Sequence, residues 1–192
     1  MAQPVPVPRL YTVGEYLALG ETEAGYTELV EGRLNVTPSP APRHNRAGYR
    51  LATLLEPQLP DHLVIVLDVD VDLELAPVSK PGFSRRPDLI VARRKALERV
   101  ERDGGALRAS EVVVVVEIVS PSSDRTDNVI KRGEYADAGI PHYWIVDVEA
   151  PVSVLACHQA GEFGYVDDGS ITGTLRVTEP FAVEIDLDEL LR

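Results

Sequence analysis

The hydrophobic pattern of the chain is dominated by one run, Val112 to Ser120, in which seven of nine residues are apolar and nearly all of those are β-branched. Such a run predicts a strand that is buried on both faces in the middle of a sheet. Glu117 lies near its end, and a carboxylate in an apolar strand is costly unless it is paired or binds a metal ion. Taken alone, Glu117 fits a core ion pair with an arginine equally well, so its neighbours decide the interpretation.

Shorter patterns on both sides of this run predict an α+β protein in which helices flank a mixed sheet. Helical spacing predicts helices at 13–19, at about 43–59 and at about 123–138, and residues 93–109 are helical or loose. Thr12 and Glu15 have the spacing of a capping box, and Ser122, Ser123 or Thr126 can cap the last of these helices. Strands are predicted at 26–30 and 33–36 around a Glu31-Gly32 turn, and at 63–75, 87–92, 112–119, 143–148, 152–158, 163–166, 175–178 and 181–185.

The segment 63–75 is predicted to be one long, half-buried strand, because acidic and apolar residues alternate along it with a period of two. Its acidic residues are Asp68, Asp70, Asp72 and Glu74. A calcium-binding loop would need a glycine and a distal glutamate at set spacing, and this segment lacks them. We therefore interpret the acidic side chains as a solvated strand face.

Length and composition are those of a globular protein. The 192 residues predict a single domain over 1–192, with residues 1–9 flexible. The single cysteine, Cys157, excludes an internal disulfide or a zinc cluster. No apolar stretch approaches the roughly 20 residues of a membrane span, and residues 1–8 do not resemble a signal peptide. We therefore expect a cytoplasmic protein with no membrane partner.

The charge of the chain is strongly acidic, with 31 acidic and 19 basic residues and a net charge of −12. This balance disfavours binding to nucleic acid unless a basic surface forms locally. Residues 80–102 carry eight basic and three acidic residues and bracket Asp88. Charged runs of this kind are usually solvated helices and loops.

Three residues form a candidate catalytic group. Asp88 begins one predicted strand and Glu117 ends another, so both carboxylates face one cleft if the two strands are neighbours. Two carboxylates brought together share a proton or recruit a cation, and oxygen ligands suit Mg²⁺. Lys131, on the helix after the central strand, could reach the same cleft. It is also four residues after Asp127, the spacing of an ordinary surface ion pair that contributes at most about 0.5 kcal/mol.

The sequence resembles the Uma-type putative endonuclease family of the PD-(D/E)xK restriction-endonuclease-like superfamily over residues 10–160. The resemblance rests on the order and spacing of short motifs: Tyr26 to Gly32, Pro38-Ser39-Pro40 with His44, Pro87-Asp88-Leu89, Val116 to Ser122, Lys131 with Tyr135, and Gly139 to Asp147. It implies a restriction-endonuclease-like mixed sheet flanked by helices. It also implies cleavage of DNA phosphodiesters with Mg²⁺ or Mn²⁺, and a symmetric homodimer.

The resemblance also assigns roles to individual residues. Asp88 matches the aspartate of the PD motif and Glu117 the acidic residue of the second half-motif, so both would bind the metal. The superfamily usually has a lysine two residues after that acid, where this chain has Val119. Lys131 matches the lysine that the Uma-type pattern carries on the following helix.

Two further residues match the family pattern. Glu28 corresponds to an early glutamate that would complete the metal shell. His44 corresponds to a histidine whose role the sequence does not define, and capping or packing explains a histidine at this place equally well.

Three functions therefore compete. The first is a Mg²⁺-dependent endonuclease that uses Asp88, Glu117 and Lys131, with Glu28. The second is a restriction-endonuclease-like module that binds DNA or a protein without cutting. The third is an acidic interaction module in which Asp88 and Glu117 form ordinary core ion pairs. Metal binding separates the first from the third, and turnover on DNA separates the first from the second.

Overall fold

The computed structural model describes residues 9–20, 25–37, 39–119 and 126–192. The predicted turn after the central strand and the predicted helix start near Ser123, with its Ser122 or Ser123 cap, lie outside the described residues. The predicted flexible segment 1–9 also lies outside them, except for Arg9.

The described chain contains four α-helices, which are interspersed among strands. The α-helices are α1 (Val13–Leu19), α2 (Pro42–Leu55), α3 (Arg94–Asp103) and α4 (Arg132–Asp137), and a π-helical turn, Thr126–Lys131, leads into α4. The strands are β1 (Thr27–Val30), β2 (Arg33–Val36), β3 (Leu63–Leu67), β4 (Val71–Asp72), β5 (Ser84–Arg85), β6 (Leu89–Arg93), β7 (Leu107–Arg108), β8 (Val112–Val119), β9 (His142–Asp147), β10 (Ser153–Gln159), β11 (Tyr165–Val166), β12 (Ser170–Thr172), β13 (Thr174–Val177) and β14 (Val183–Asp186).

The strands form a main sheet, a second sheet and a hairpin. The main sheet has the order β11-β10-β9-β8-β6-β3, with β12 paired to β10. It is mixed, because β8 and β9 are parallel whereas β6 pairs with β8 in antiparallel fashion. The second sheet has the order β2-β1-β5-β4-β7, and β13 and β14 pair with each other. The predicted α+β class, with a mixed sheet flanked by helices, is confirmed.

The local signals at the start of the chain act as predicted. Thr12 and Glu15 form a complete capping box at the N-terminus of α1. The turn between β1 and β2 has positive φ at both central residues, Glu31 (50°) and Gly32 (76°). That combination suits a tight hairpin whose twist matches that of its strands.

The prediction of one long strand over 63–75 is wrong. The chain leaves the main sheet after β3 and enters the second sheet as β4. Asp68 and Glu74 have positive φ values of 51° and 56°, and a residue in this left-handed region cannot continue a strand. The period-two pattern of the sequence therefore continues past the point at which the chain turns from the main sheet into the second sheet. The helix predicted at about 43–59 is also shorter, because α2 ends at Leu55 and a 3₁₀ turn follows it.

The main sheet is covered on both faces, as the apolar run predicts. On one face, Leu51 and Leu55 of α2 pack with Val116, Ile118 and Trp144. On the other face, apolar residues of the second sheet and of α4 join Val115 and Val119 in a separate cluster. β8 is consequently buried along nearly all of its length, and Glu117 points into the second of these two layers.

No helix in the described ranges has both the length and the apolar character needed to cross a membrane.

We expect Leu51→Ala to lower the free energy of unfolding by about 2–5 kcal/mol, because the leucine is completely buried between α2 and the main sheet and its loss leaves a cavity. Urea denaturation followed by the fluorescence of buried Trp144 measures the change. Tyr49→Ala on the same helix is the control, since Tyr49 is exposed and its loss should cost less than about 0.5 kcal/mol. Equal losses in both variants would contradict the packing of α2 described above.

Candidate active site

The structure brings Asp88 and Glu117 together at one end of the main sheet. Leu89 of β6 lies opposite Val116 of β8, so the next pair along this register is Asp88 and Glu117. The backbone N–H of Ile118 donates a hydrogen bond to Asp88 Oδ2 at 2.6 Å, which anchors the aspartate to the end of β8. The two carboxylates are close enough to interact electrostatically, and the Asp88 side chain is 24% exposed.

Lys131 lies in the same layer, although it comes from a different element. Its side chain is buried, with 6% of the residue exposed. Its Nζ donates to Glu117 Oε1 at 2.9 Å and lies 3.4 Å from Glu28 Oε1 and 3.5 Å from Asp127 Oδ1. The surface-pair interpretation of Lys131 is wrong. The predicted i,i+4 pair with Asp127 exists, but both partners are buried and two further carboxylates share the lysine.

The widened turn before α4 directs Lys131 inward. Residues Thr126–Lys131 are π-helical, and α4 begins only at Arg132. A π turn inserts an extra residue into the helical spacing and is common at functional sites. Lys131 therefore ends a π-helical turn and does not occupy an ordinary α-helical position.

Glu117 accepts two hydrogen bonds on one oxygen. Lys131 Nζ and the Tyr135 hydroxyl, the latter at 2.7 Å, both donate to Oε1. The sequence also allowed a core ion pair between Glu117 and an arginine. Among the described residues, the cation in contact with Glu117 is Lys131 instead.

Glu28 is held by arginines as well as by the lysine. Arg85 Nη1 donates to Glu28 Oε2 at 2.6 Å and the backbone N–H of Arg86 donates to Oε1 at 3.2 Å. The same Arg85 also donates two hydrogen bonds to Glu134 of α4. Glu28 therefore connects the second sheet to α4 and to Lys131.

Among the described residues, this group contains three buried carboxylates and two buried cations. Burial raises the pKa of Glu117 to about 8, and the nearby carboxylates Asp88, Asp127 and Glu28 add to this effect against the opposing influence of Lys131. Burial alone would lower the pKa of Lys131, but Glu117, Glu28 and Asp127 outweigh it and raise that pKa. The lysine therefore stays charged at neutral pH, whereas Glu117 tends to hold a proton.

His44 contacts the aspartate of this group. Its Nε2 lies 3.1 Å from Asp88 Oδ2, and the hydrogen bond to Asp88 raises the pKa of His44. Its Nδ1 is buried and has no hydrogen-bond partner among the described residues. The histidine near the start of α2 thus approaches Asp88 from the opposite layer.

The donor set suits a hard divalent cation. Asp88 and Glu117 offer carboxylate oxygens. Burial and neighbouring carboxylates disfavour the negative charge of Glu117, and a bound cation would stabilise that charge. Within the described ranges no group of three or more His, Cys, Asp or Glu side chains is arranged to hold a metal by itself. Mg²⁺ commonly takes only one or two carboxylates and completes its shell with water and substrate phosphate, so a pair fits it.

Sequence reasoning missed three parts of this group. Asp127 was considered only as a surface partner, Arg85 only as part of a basic segment, and Tyr135 received no role. A signal for two of them was present, because Asp127, Lys131 and Tyr135 recur every four residues and so lie along one helical face. Nothing comparable marked Arg85, whose burial depends on the pairing of β1 with β5.

Comparisons with known proteins agree with this architecture. A family model, Uma2, described as "Putative restriction endonuclease", matches residues 13–187. The fold is similar to the crystal structure of a "putative nuclease belonging to DUF820" from Anabaena variabilis ATCC 29413, with a TM-score of 0.67 and 20% sequence identity. The similarity covers 94% of this chain and 97% of that chain. No curated protein matches the sequence.

We expect Lys131→Met to lower the free energy of unfolding by about 3–5 kcal/mol near pH 8, because it leaves buried carboxylates without their cation. The loss should shrink as the pH falls toward about 5.5, because protonation of Glu117, whose pKa is about 8, removes part of the uncompensated charge. Urea denaturation at the two pH values measures both quantities.

Lys95→Met is the matched control, since Lys95 is an exposed lysine of α3. It should change the free energy of unfolding by less than about 0.5 kcal/mol at either pH. Equal, small losses in the two variants would indicate that Lys131 forms only an ordinary surface ion pair with Asp127.

Proposed function

The chain belongs to the Uma2 family, whose model is described as a putative restriction endonuclease, and we propose that it is a Mg²⁺-dependent endonuclease that hydrolyses DNA phosphodiester bonds. The observation that carries the proposal is the convergence of Asp88 and Glu117 beside the buried ammonium of Lys131. Structural ion pairs alone would tend toward charge balance. Here Lys131 is shared by Glu28, Glu117 and Asp127, with Asp88 beside Glu117.

In the proposed mechanism, Asp88 and Glu117 would hold the cation at the end of the main sheet. Mg²⁺ bound there would polarise the scissile phosphate and favour in-line attack by water. Ile118 fixes Asp88 through its backbone N–H, and Tyr135 and Lys131 fix Glu117, so neither carboxylate has to reorganise when the substrate arrives.

Lys131 supplies positive charge beside the site at which a phosphate would approach. Its ammonium has three N–H donors. Within the described ranges, its contact with Glu117 is a hydrogen bond of ordinary length, whereas its contacts with Glu28 and Asp127 are longer, at 3.4 and 3.5 Å. One donor could therefore turn toward a phosphate oxygen. Glu28, committed to Arg85 and Arg86, positions the lysine in this proposal and is not a metal ligand.

A second candidate is a module of the same fold that binds DNA or a protein without cutting, and the distribution of basic residues favours its protein-binding form. Half of the eight basic residues of segment 80–102 lie on α3, which follows the far end of β6 from Asp88. Arg99 pairs there with Glu111 and Arg102 with Asp103. Arg85 is buried against Glu28 and Glu134, so this segment supports a DNA-binding surface at the site only weakly.

The nuclease proposal predicts Mg²⁺- or Mn²⁺-dependent cleavage of plasmid DNA that Glu117→Gln and Asp88→Asn reduce roughly a thousandfold or more. Metal-dependent charge stabilisation contributes several kcal/mol to such a reaction, and each 1.36 kcal/mol corresponds to about tenfold in rate. Lys131→Met should lose about a hundredfold when assayed at a temperature where it remains folded. Gel assays of nicked and linear products measure the rates.

Lys95→Met and Glu98→Gln serve as controls, since both residues are exposed on α3, which follows the far end of β6 from Asp88. They should retain the wild-type rate. DNA binding without turnover by the wild-type protein at saturating Mg²⁺ would favour the second candidate. Neither binding nor turnover would favour the acidic interaction module.

Metal binding should also release a proton in a pH-dependent way. Below a pKa of about 8, Glu117 holds a proton that the cation must displace, so we expect about one proton per Mg²⁺ near pH 6.5. The number should fall toward zero near pH 9, where the carboxylate is already ionised. Calorimetric titration in buffers of different ionisation enthalpy measures it. Constant proton release across this range in wild type would rule out Glu117 as the displaced group, and Glu117→Gln should release none.

A further inference from the structure

We propose that Tyr135 is a positioning residue for the candidate metal site, and that its hydroxyl fixes Glu117 so that the carboxylate can present its other oxygen to a divalent cation. The inference rests on the proposed metal-dependent function and extends it to a residue outside the carboxylate pair and the lysine. Tyr135 acts through Glu117 and is not itself a ligand.

The geometry at Glu117 carries the inference. The Tyr135 hydroxyl donates to Oε1 at 2.7 Å, and Lys131 Nζ donates to the same oxygen at 2.9 Å. Two donors on one oxygen fix the rotation of the carboxylate about its last bond. They also leave the direction of Oε2 defined before any cation arrives, which lowers the cost of ordering the ligand on binding.

The phenol ring is itself held rigidly. Tyr135 is completely buried, and its ring packs edge-on against Tyr143 at a centroid distance of 5.1 Å. Tyr143 in turn packs against Tyr165 at 5.8 Å. Because the Tyr135 ring is buried and packed in this way, its hydroxyl has little freedom to move, and Glu117 has a hydrogen-bond donor at a constant position.

The three tyrosines differ in what their hydroxyls contact. Tyr143 donates to the backbone carbonyl of Asp127 at 3.0 Å and Tyr165 to that of Ile140 at 2.7 Å. Tyr135 donates instead to a carboxylate side chain. A purely structural role would make Tyr135 and Tyr165 equivalent, because each is a buried ring with one satisfied hydroxyl. A positioning role would separate them by metal affinity.

The experiment compares Tyr135→Phe with Tyr165→Phe by calorimetric titration with Mn²⁺, which needs neither DNA nor turnover. Outer-shell partners of metal ligands typically contribute 10- to 100-fold to affinity, so we expect Tyr135→Phe to raise the Mn²⁺ Kd about tenfold. Tyr165→Phe should leave the Kd within about twofold of wild type while lowering the Tm by a comparable amount. In the cleavage assay, Tyr135→Phe should require more metal for half-maximal rate and recover most of its kcat at saturating metal.

An unchanged Kd in Tyr135→Phe would overturn the inference, and so would an equal rise in both variants, since that would mark a general packing effect. Failure of the wild-type protein to bind Mn²⁺ would overturn the metal-site proposal itself, and the inference with it. If the wild-type protein binds Mn²⁺, Glu117→Ala abolishes binding and Tyr135→Phe leaves it intact, the metal-site proposal stands and the inference about Tyr135 is overturned.

A second measurement covers the case in which Tyr135→Phe does not fold. In wild-type protein with ¹³C-labelled tyrosine, Mg²⁺ should shift the NMR resonance of Tyr135 with the same concentration dependence as calorimetric binding. The Tyr165 resonance should move much less. Equal shifts of the two resonances, or no shift of Tyr135 at saturating Mg²⁺, would overturn the inference.

Discussion

The interaction on which the rest of this structure depends is the contact of one buried ammonium with several carboxylates. Lys131 comes from the π turn before α4, and Glu28 and Glu117 come from two different sheets. A buried charge is tolerated only when it is paired, so these elements cannot separate without exposing an uncompensated ion. The contact therefore joins the second sheet, the main sheet and α4 at one point, and Arg85 reinforces it by bridging Glu28 and Glu134.

The same contact explains why this end of the main sheet is chemically useful. A carboxylate in a buried apolar strand such as β8 is energetically costly. Glu117 is tolerated there because Lys131 and Tyr135 donate hydrogen bonds to it. The compensation is incomplete, since burial and neighbouring carboxylates still raise the pKa of Glu117. A site of this kind is poised to exchange a proton for a cation, and Asp88 supplies a second, partly exposed oxygen donor beside it.

Much of the fold follows from local patterns in the sequence. The β-branched run predicts β8, the capping box at Thr12 predicts α1, and the Glu31-Gly32 turn predicts the first hairpin, because each depends on neighbours within a few residues. The segment 63–75 fails for the opposite reason. Its alternation of acidic and apolar residues is real, but the corner at Asp68 depends on which sheet each half joins, and periodicity carries no information about that.

The candidate site likewise has features that the sequence predicts and features that depend on the tertiary structure. The sequence by itself determined which residue types are available and drew attention to Asp88, Glu117 and Lys131, because charged residues are unusual near apolar strands and the order of the motifs resembles a known family. Only the tertiary structure decided that Lys131 is buried and that Arg85 holds Glu28. The physical reason is that burial of a charge depends on partners far apart in the chain, and sheet pairing and the π turn bring those partners together. A sequence pattern reports a side chain's own preference, whereas its pKa and its role depend on what the fold places beside it.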